Sequence, residues 1–275
     1  MARPEVALPA IRACIFDLDG LLINSEDMIT LATNQLLEKY GRPAFTPSIR
    51  AQLMGVPDST NSDIFHNWAK LPIPREQFAR ELKDLMGRNF QNCTPLPGAE
   101  AILLNLSRGS NPSGDRIQLA LASSTKSQSY KMKMSRSETK QLLSFFQPDR
   151  RILGDDSRVR QGRGKPEPDI YLIALQSLNS YSDDDLILPS ECLVFEDSVA
   201  GVVAGRRAGM RVVWVPHPDM VAEYRASQKD VLAGKTGKFE RGDDWQVGEV
   251  DDGWAEAISS LEDFSYEKYG IDVQP

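Results

Sequence analysis

Cysteine is scarce in this chain: three in 275 residues, an odd number, widely spaced. That excludes a disulfide framework and any zinc-type cysteine pairing. Cys14 and Cys192 lie inside apolar runs and read as small buried hydrophobes, which points to a reducing, cytoplasmic location. No apolar run approaches the ~20 residues needed to span a bilayer. The opening MARPEVALPA has no apolar stretch of the kind a secretory signal needs, so neither membrane nor secretion is expected. Positive charge is in the minority, with 32 Lys and Arg against 39 Asp and Glu and a net charge of -7. This argues against non-specific nucleic-acid binding but leaves room for a small phosphorylated ligand, which needs only local positive charge. Glycine-rich phosphate loops of the G-x-x-x-x-G-K type, internal repeats and low-complexity tracts are all missing.

What is present is ordinary globular composition, 41% hydrophobic and 26% charged, in a chain long enough for one or two domains. Short apolar runs alternate with longer amphipathic stretches. Residues 11–16, 117–122, 151–153, 192–195 and 211–215 read as buried strands separated by helices. This is the pattern of a parallel sheet with helices on both faces. The stretch from Ser25 to about Pro95 differs. Ile29, Ala32 and Leu36 share one helix face, and Phe78, Leu82 and Leu85 another, with no convincing strand between. The expectation is an α/β chain: a core of residues 1–24 and 96–275, with a helical insertion, 25–95, standing over it as a cap. Residues 227–253, rich in Gly, Asp, Lys and Gln, read as a long surface loop.

Four strand ends carry the polar residues that could do chemistry. The first ends in Asp17-Leu18-Asp19-Gly20, with two carboxylates straddling one residue and a glycine that allows a sharp turn. Open parallel sheets bind ligands at this end of their strands, and one carboxylate can attack while a second handles protons. An aspartate there can equally be a turn or cap residue. The second end runs into Ser123-Ser124-Thr125-Lys126, hydroxyls at a strand-to-helix junction that suit a phosphate or simply cap the next helix. The third element is Gly164-Lys165-Pro166-Glu167-Pro168-Asp169, where two prolines fix where Lys165 points, and Asp169 reads as a helix cap. The fourth strand ends in Glu196-Asp197-Ser198. Adjacent acids near Asp17 would repel unless a cation stood among them, and hard oxygen ligands with phosphate chemistry suggest Mg²⁺. Gly201 and Gly205 share a helix face that would approach the sheet closely, and Gly209 stops that helix. The basic residues Lys131, Lys133, Arg136, Lys140, Arg150, Arg151, Arg158 and Arg160 read mostly as solvated helix and loop faces, without the aromatic platform of a single-strand binder.

In this order, the four elements resemble the motifs of the haloacid dehalogenase superfamily, over Ile11 to about Val215. The resemblance implies a Rossmann-like parallel-sheet core with an inserted α-helical cap. It implies Asp17 as nucleophile, Asp19 as general acid and base, and Ser123 and Lys165 as phosphate holders. It also implies Mg²⁺ as cofactor, with Asp17, Asp19 and Asp197 as ligands and Glu196 as a further candidate. Gly20, Ser124, Glu26 and Arg50, the last in Arg50-Ala51-Gln52-Leu53-Met54-Gly55, are candidates for substrate contact. Within the superfamily the chain is most similar to the pseudouridine-5'-phosphatase and glycerol-3-phosphatase group, through Met132-Lys133-Met134-Ser135-Arg136, Gly154-Asp155-Asp156 and Leu261-Glu262-Asp263-Phe264. The expected activity is Mg²⁺-dependent hydrolysis of a small phosphorylated metabolite by a monomer. Two alternatives stand beside it. Phosphomutases of the β-phosphoglucomutase type share the core motifs but carry a histidine where Ile29 falls, and the two histidines here, His66 and His217, lie elsewhere. A non-catalytic binding protein on the same fold would have lost a charged site residue, whereas Asp17, Asp19, Ser123, Lys165 and Asp197 are all present.

Overall fold

The structure is a computed structural model that describes residues 8–53, 58–180, 185–235 and 248–273. Among them runs a six-stranded sheet: β1 (Ala13–Phe16), β2 (Gln118–Ala122), β3 (Arg151–Ile152), β4 (Cys192–Glu196), β5 (Arg211–Trp214) and β6 (Ala255–Ala257). All pairings are parallel, in the order β3-β2-β1-β4-β5-β6. β1 is central and buried on both faces. Its alternation sends Cys14 and Phe16 to one side with Leu119, Leu121, Leu193 and Phe195, and Ala13 and Ile15 to the other with Ala120, Ala122, Val194 and Val212. Phe16 and Phe195 stack at 4.4 Å between ring centroids, locking β1 to β4. The strand order reverses between these two strands, and in such sheets the crevice beyond their carboxyl ends is the binding site.

The five strands expected from the sequence are present, trimmed by one or two residues at several ends. β6 was not expected: its Ala-Glu-Ala sequence has no β-branched residue, and it exists because Val212–Trp214 offer it a pairing edge. The loop expected at 227–253 is corrected in part. Helices α10 (Val221–Tyr224) and α11 (Gln228–Ala233) follow β5, and Val231 and Ala233 are buried, while 236–247 lie outside the described residues.

Between β1 and β2 come α1 (Ser25–Lys39), α2 (Pro47–Leu53), α3 (Asp58–Ala69), α4 (Arg75–Asn89) and then α5 (Ala99–Arg108), which packs on the sheet. The first four enclose an apolar cluster of their own, with Leu36, Leu37, Leu53, Phe65, Ala69 and Phe78 buried in it. Leu82 and Leu85 pack against that cluster as expected, but Ile29 turns to the core's cluster instead. Ion pairing of Lys39 with Glu81 at 2.8 Å, and the bond from the Tyr40 hydroxyl to the same carboxylate, staple α1 to α4. The chain crosses between cap and core on two adjacent strands of backbone. Ile23 bridges Pro95, Leu96 N–H donates to Leu22 O at 3.0 Å, Asn24 N–H to Thr94 O, and Thr94 N–H to Asn24 Oδ1 at 2.8 Å. No helix among the described residues is long and apolar enough to cross a membrane.

Candidate active site

β1, β2 and β4 deliver their polar residues to one place because they are neighbours in register: Phe16 lies opposite Leu121 and Phe195, so the residues that follow emerge side by side. Asp17 N–H still donates to Phe195 O at 3.0 Å, which carries the ladder one residue past the strand. Gly20 turns the chain with φ +77, and a Cβ there would run into the Asp197 carboxylate. Ser123 N–H is held by Ile152 O on β3, so the β2 loop starts from a fixed point. The loop after β3 supports it further. Gly154 N–H donates to Thr125 O at 2.9 Å, and Asp155 accepts from the Ser127 N–H and hydroxyl at the start of α6 (Ser127–Lys133), the helix before α7 (Ser137–Leu143).

Lys165 is buried at the centre. Its ammonium donates to Asp17 Oδ1 at 2.5 Å, Glu196 Oε1 at 2.6 Å and Ala122 O at 3.0 Å, which uses all three protons. Burial alone would push this lysine down, but the charges of Asp17 and Glu196 outweigh it and raise it above the ordinary lysine range. Glu196 is fully buried. Its Oε1 also accepts from the Tyr171 hydroxyl at 2.6 Å, and its Oε2 from the N–H and hydroxyl of Ser198, each at 3.0 Å. Burial pushes Glu196 up, and Lys165 with these donors brings it below the usual range. Gly201 is what lets helix α9 (Val199–Arg207) pass so close, since a Cβ there would collide with the Glu196 carboxyl, and Gly205 likewise lies against Val212 and Val194. Both glycines therefore do what their spacing implied.

The carboxylates outnumber this cation. Asp17, Glu196 and Asp197 offer oxygens that all lie within 4.8 Å of one another. Burial, with the charges of Glu196 and Asp19 added, pushes Asp17 up to about 7 despite Lys165. Asp197 is raised well above the usual range by burial and by the charges of Glu196 and Asp17. A cluster of hard oxygens carrying unneutralised charge is the donor set a small divalent cation such as Mg²⁺ takes.

Asp19 faces a different company. Its Oδ1 accepts from Lys133 Nζ and Ser25 Oγ, each at 2.5 Å, and its Oδ2 from Thr125 Oγ1 at 2.5 Å and more weakly from Ser123 Oγ at 3.4 Å. Burial pushes it up, but Lys133 and the hydroxyls win and hold it below the ordinary carboxylate range. Lys133 is the main correction to the sequence reading: placed there among solvated basic residues, it is 3% exposed and lies in the site. The usable signal was its spacing from Ser129, four residues earlier on α6 and also facing the site. Tyr171, from α8 (Asp169–Asn179), left no signal, since nothing in a helical Asp-Ile-Tyr-Leu tells which carboxylate the hydroxyl will meet. Asp169 is taken by a two-pronged bond from Arg163.

Asp17, Asp19, Lys133, Lys165 and Asp197 line a cavity of about 460 Å³, to which the cap contributes Ile29 and Met86. Ser124 and Glu26 reach it; Arg50 does not line it but is buried behind Glu26, 3.2 Å from that carboxylate. Burial raises Glu26 although Arg50 opposes it. Gly55 lies outside the described residues.

Residues 14–215, well over half of the chain, match the profile of the haloacid dehalogenase-like hydrolases. The chain belongs to that family. This hydrolase is 34% identical over 262 residues to a Saccharomyces cerevisiae protein named "Probable pseudouridine-5'-phosphatase", covering 95% of this chain and 98% of that one. It is 29% identical to the "(DL)-glycerol-3-phosphatase 1, mitochondrial" of Arabidopsis thaliana, over 80% and 68% of the two chains. Among solved structures it is similar to a haloacid dehalogenase family hydrolase of Deinococcus radiodurans with bound phosphate and sodium, at 25% identity and a TM-score of 0.58, covering 85% of this chain and 99% of that one.

Proposed function

We propose that this hydrolase is a phosphomonoesterase that works through an aspartyl-phosphate, with residues 25–95 as its cap. The observation that carries the reading is Asp17: a buried carboxylate at the strand-order reversal, held by Lys165, beside Asp197 and at the floor of the cavity. Asp17, Asp197 and the backbone carbonyl of Asp19 would hold Mg²⁺, which supplies charge neutralisation at the phosphate and the nucleophile. Glu196 has both oxygens engaged, so its part is to hold Lys165 rather than the ion. Lys165, by turning one N–H away from its present acceptors, and the Ser123 hydroxyl bind the phosphoryl oxygens. An Asp17 oxygen attacks phosphorus in line, and the bond to the leaving oxygen breaks. Asp19 gives its proton to that oxygen, then takes one from the water that attacks phosphorus. Phosphate departs and Asp17 is restored.

With its present donors Asp19 rests ionised, the form the second half of the cycle needs. The incoming phosphate, by adding negative charge and drawing donors away, shifts it towards the protonated form the first half needs. Ser124 and Glu26 are placed to meet the leaving group, with Gly20 holding the floor and Arg50 holding Glu26. The cavity volume of about 460 Å³, together with the yeast relative's similarity over almost the whole of both chains, favours a sugar phosphate of the pseudouridine 5'-phosphate kind over glycerol 3-phosphate. Ile29 at the mutase histidine's position favours release to water over return to the sugar. A monomer in a reducing cytoplasm completes the proposal; its three cysteines are buried and unbridged.

The test is phosphate release with and without Mg²⁺ from pseudouridine 5'-phosphate, uridine 5'-phosphate, glycerol 3-phosphate, phosphoglycolate and β-glucose 1-phosphate. Metal-dependent release that prefers the first of these is expected. No release from any of them would overturn the reading.

A further inference from the structure

One ammonium governs both oxygens of Asp19. Lys133 donates to Oδ1 directly at 2.5 Å. It also donates to Thr125 Oγ1 at 2.7 Å, which occupies that hydroxyl's lone pair and leaves its own proton to point at Asp19 Oδ2, 2.5 Å away. The third face of the ammonium lies over the Phe90 ring, 4.5 Å from its centroid. Phe90 is buried just before the chain crosses from cap to core at Thr94. The remaining strong donor to Asp19 is Ser25, the first residue of α1, on the other crossing strand. The carboxylate is thus fixed between one core helix and the two crossings.

We propose that Lys133 is a positioning residue for proton transfer: it sets the plane of the Asp19 carboxylate, directly and through Thr125, from the wall of the cavity. The inference rests on the reading of Asp19 as acid and base. Burying an ammonium is unfavourable unless it is well paired. Three hydroxyls already satisfy much of Asp19, so simple hydrogen bonding does not account for a buried cation here.

The experiment compares Lys133→Met, Lys133→Arg, Thr125→Val and Asp19→Asn in the full chain with Mg²⁺, on two esters. One is pseudouridine 5'-phosphate, whose alkoxide leaving group needs a proton. The other is p-nitrophenyl phosphate, whose first burst of nitrophenolate needs none. Lys133→Met is expected to lower kcat on the alkyl ester about tenfold or more, with KM within about twofold and the nitrophenolate burst rate within about threefold. Thr125→Val should move the same ratio less, and Lys133→Arg should recover part of it. Thr125→Val carries the test if melting shows that Lys133→Met is unfolded. Equal losses on both esters, or a wild-type kcat on the alkyl ester while Asp19→Asn is inactive, overturn the positioning role alone. Full activity of Asp19→Asn overturns the acid–base reading beneath it.

Discussion

Asp17 and Asp19 stand two residues apart on one loop, and each meets a buried lysine at 2.5 Å. They titrate in opposite directions: Asp17 upward to about 7, Asp19 downward. Pair distance cannot explain this. Lys165 is divided between Asp17 and Glu196, with Asp197 close by, whereas Lys133 serves one carboxylate that three hydroxyls also serve. What decides is the number of carboxylates per cation. The Asp17 side is short of positive charge and invites a metal ion. The Asp19 side is balanced by Lys133 and the hydroxyls, which keeps that carboxylate ionised.

The comparison can be broken most sharply at Asp17. Asp17→Asn should cut phosphate release more than about a thousandfold, because the carboxylate proposed as nucleophile becomes a neutral amide; full metal-dependent turnover would end the nucleophile assignment. Next is the shared cation. Lys165→Met leaves Asp17 and Glu196 buried without their cation, and urea denaturation without metal should show a loss of about 3–5 kcal/mol. A loss no larger than that of an exposed lysine would mean that the cluster is hydrated. Gly201→Ala, which presses a methyl into the Glu196 carboxyl, should cost about 1–3 kcal/mol and lower kcat.

The smallest effect is the one most specific to the imbalance. A carboxylate with a raised folded-state pKa costs stability as pH climbs from its unfolded value of about 3.9 towards its folded value. For Asp17 that window runs up to about 7. Mg²⁺ offsets the cost once the group is ionised, so its gain in melting temperature should be larger at about pH 8 than at about pH 5.5. Asp19, whose pKa is depressed, has the opposite sign: its stabilisation is present above its unfolded value and is lost only as pH falls through the folded one. A Mg²⁺ gain that does not change with pH would put the metal away from Asp17.

Much of the core was legible because its strands are buried on both faces, which forces continuous apolar runs such as Ala13–Phe16 and Cys192–Phe195. The polar residues at their ends were legible for the same reason, since charge directly after such a run has to be met by something. β6 escaped because an edge strand needs little apolar surface, and Lys133 because a lysine on a short amphipathic helix normally points to water. In the cap, periodicity placed the helices but not their neighbours: Ile29 keeps the phase of Ala32 and Leu36 yet packs against the core.

The sequence alone therefore determined the succession of β1 to β5 along the chain and which polar residues follow them, because burial of a parallel sheet is written into local runs. Which carboxylate shares which lysine was decided only by tertiary structure. Lys133 is 114 residues from Asp19 and Lys165 is 148 from Asp17, and contacts at such separations are set by strand order and helix packing, which no local pattern encodes.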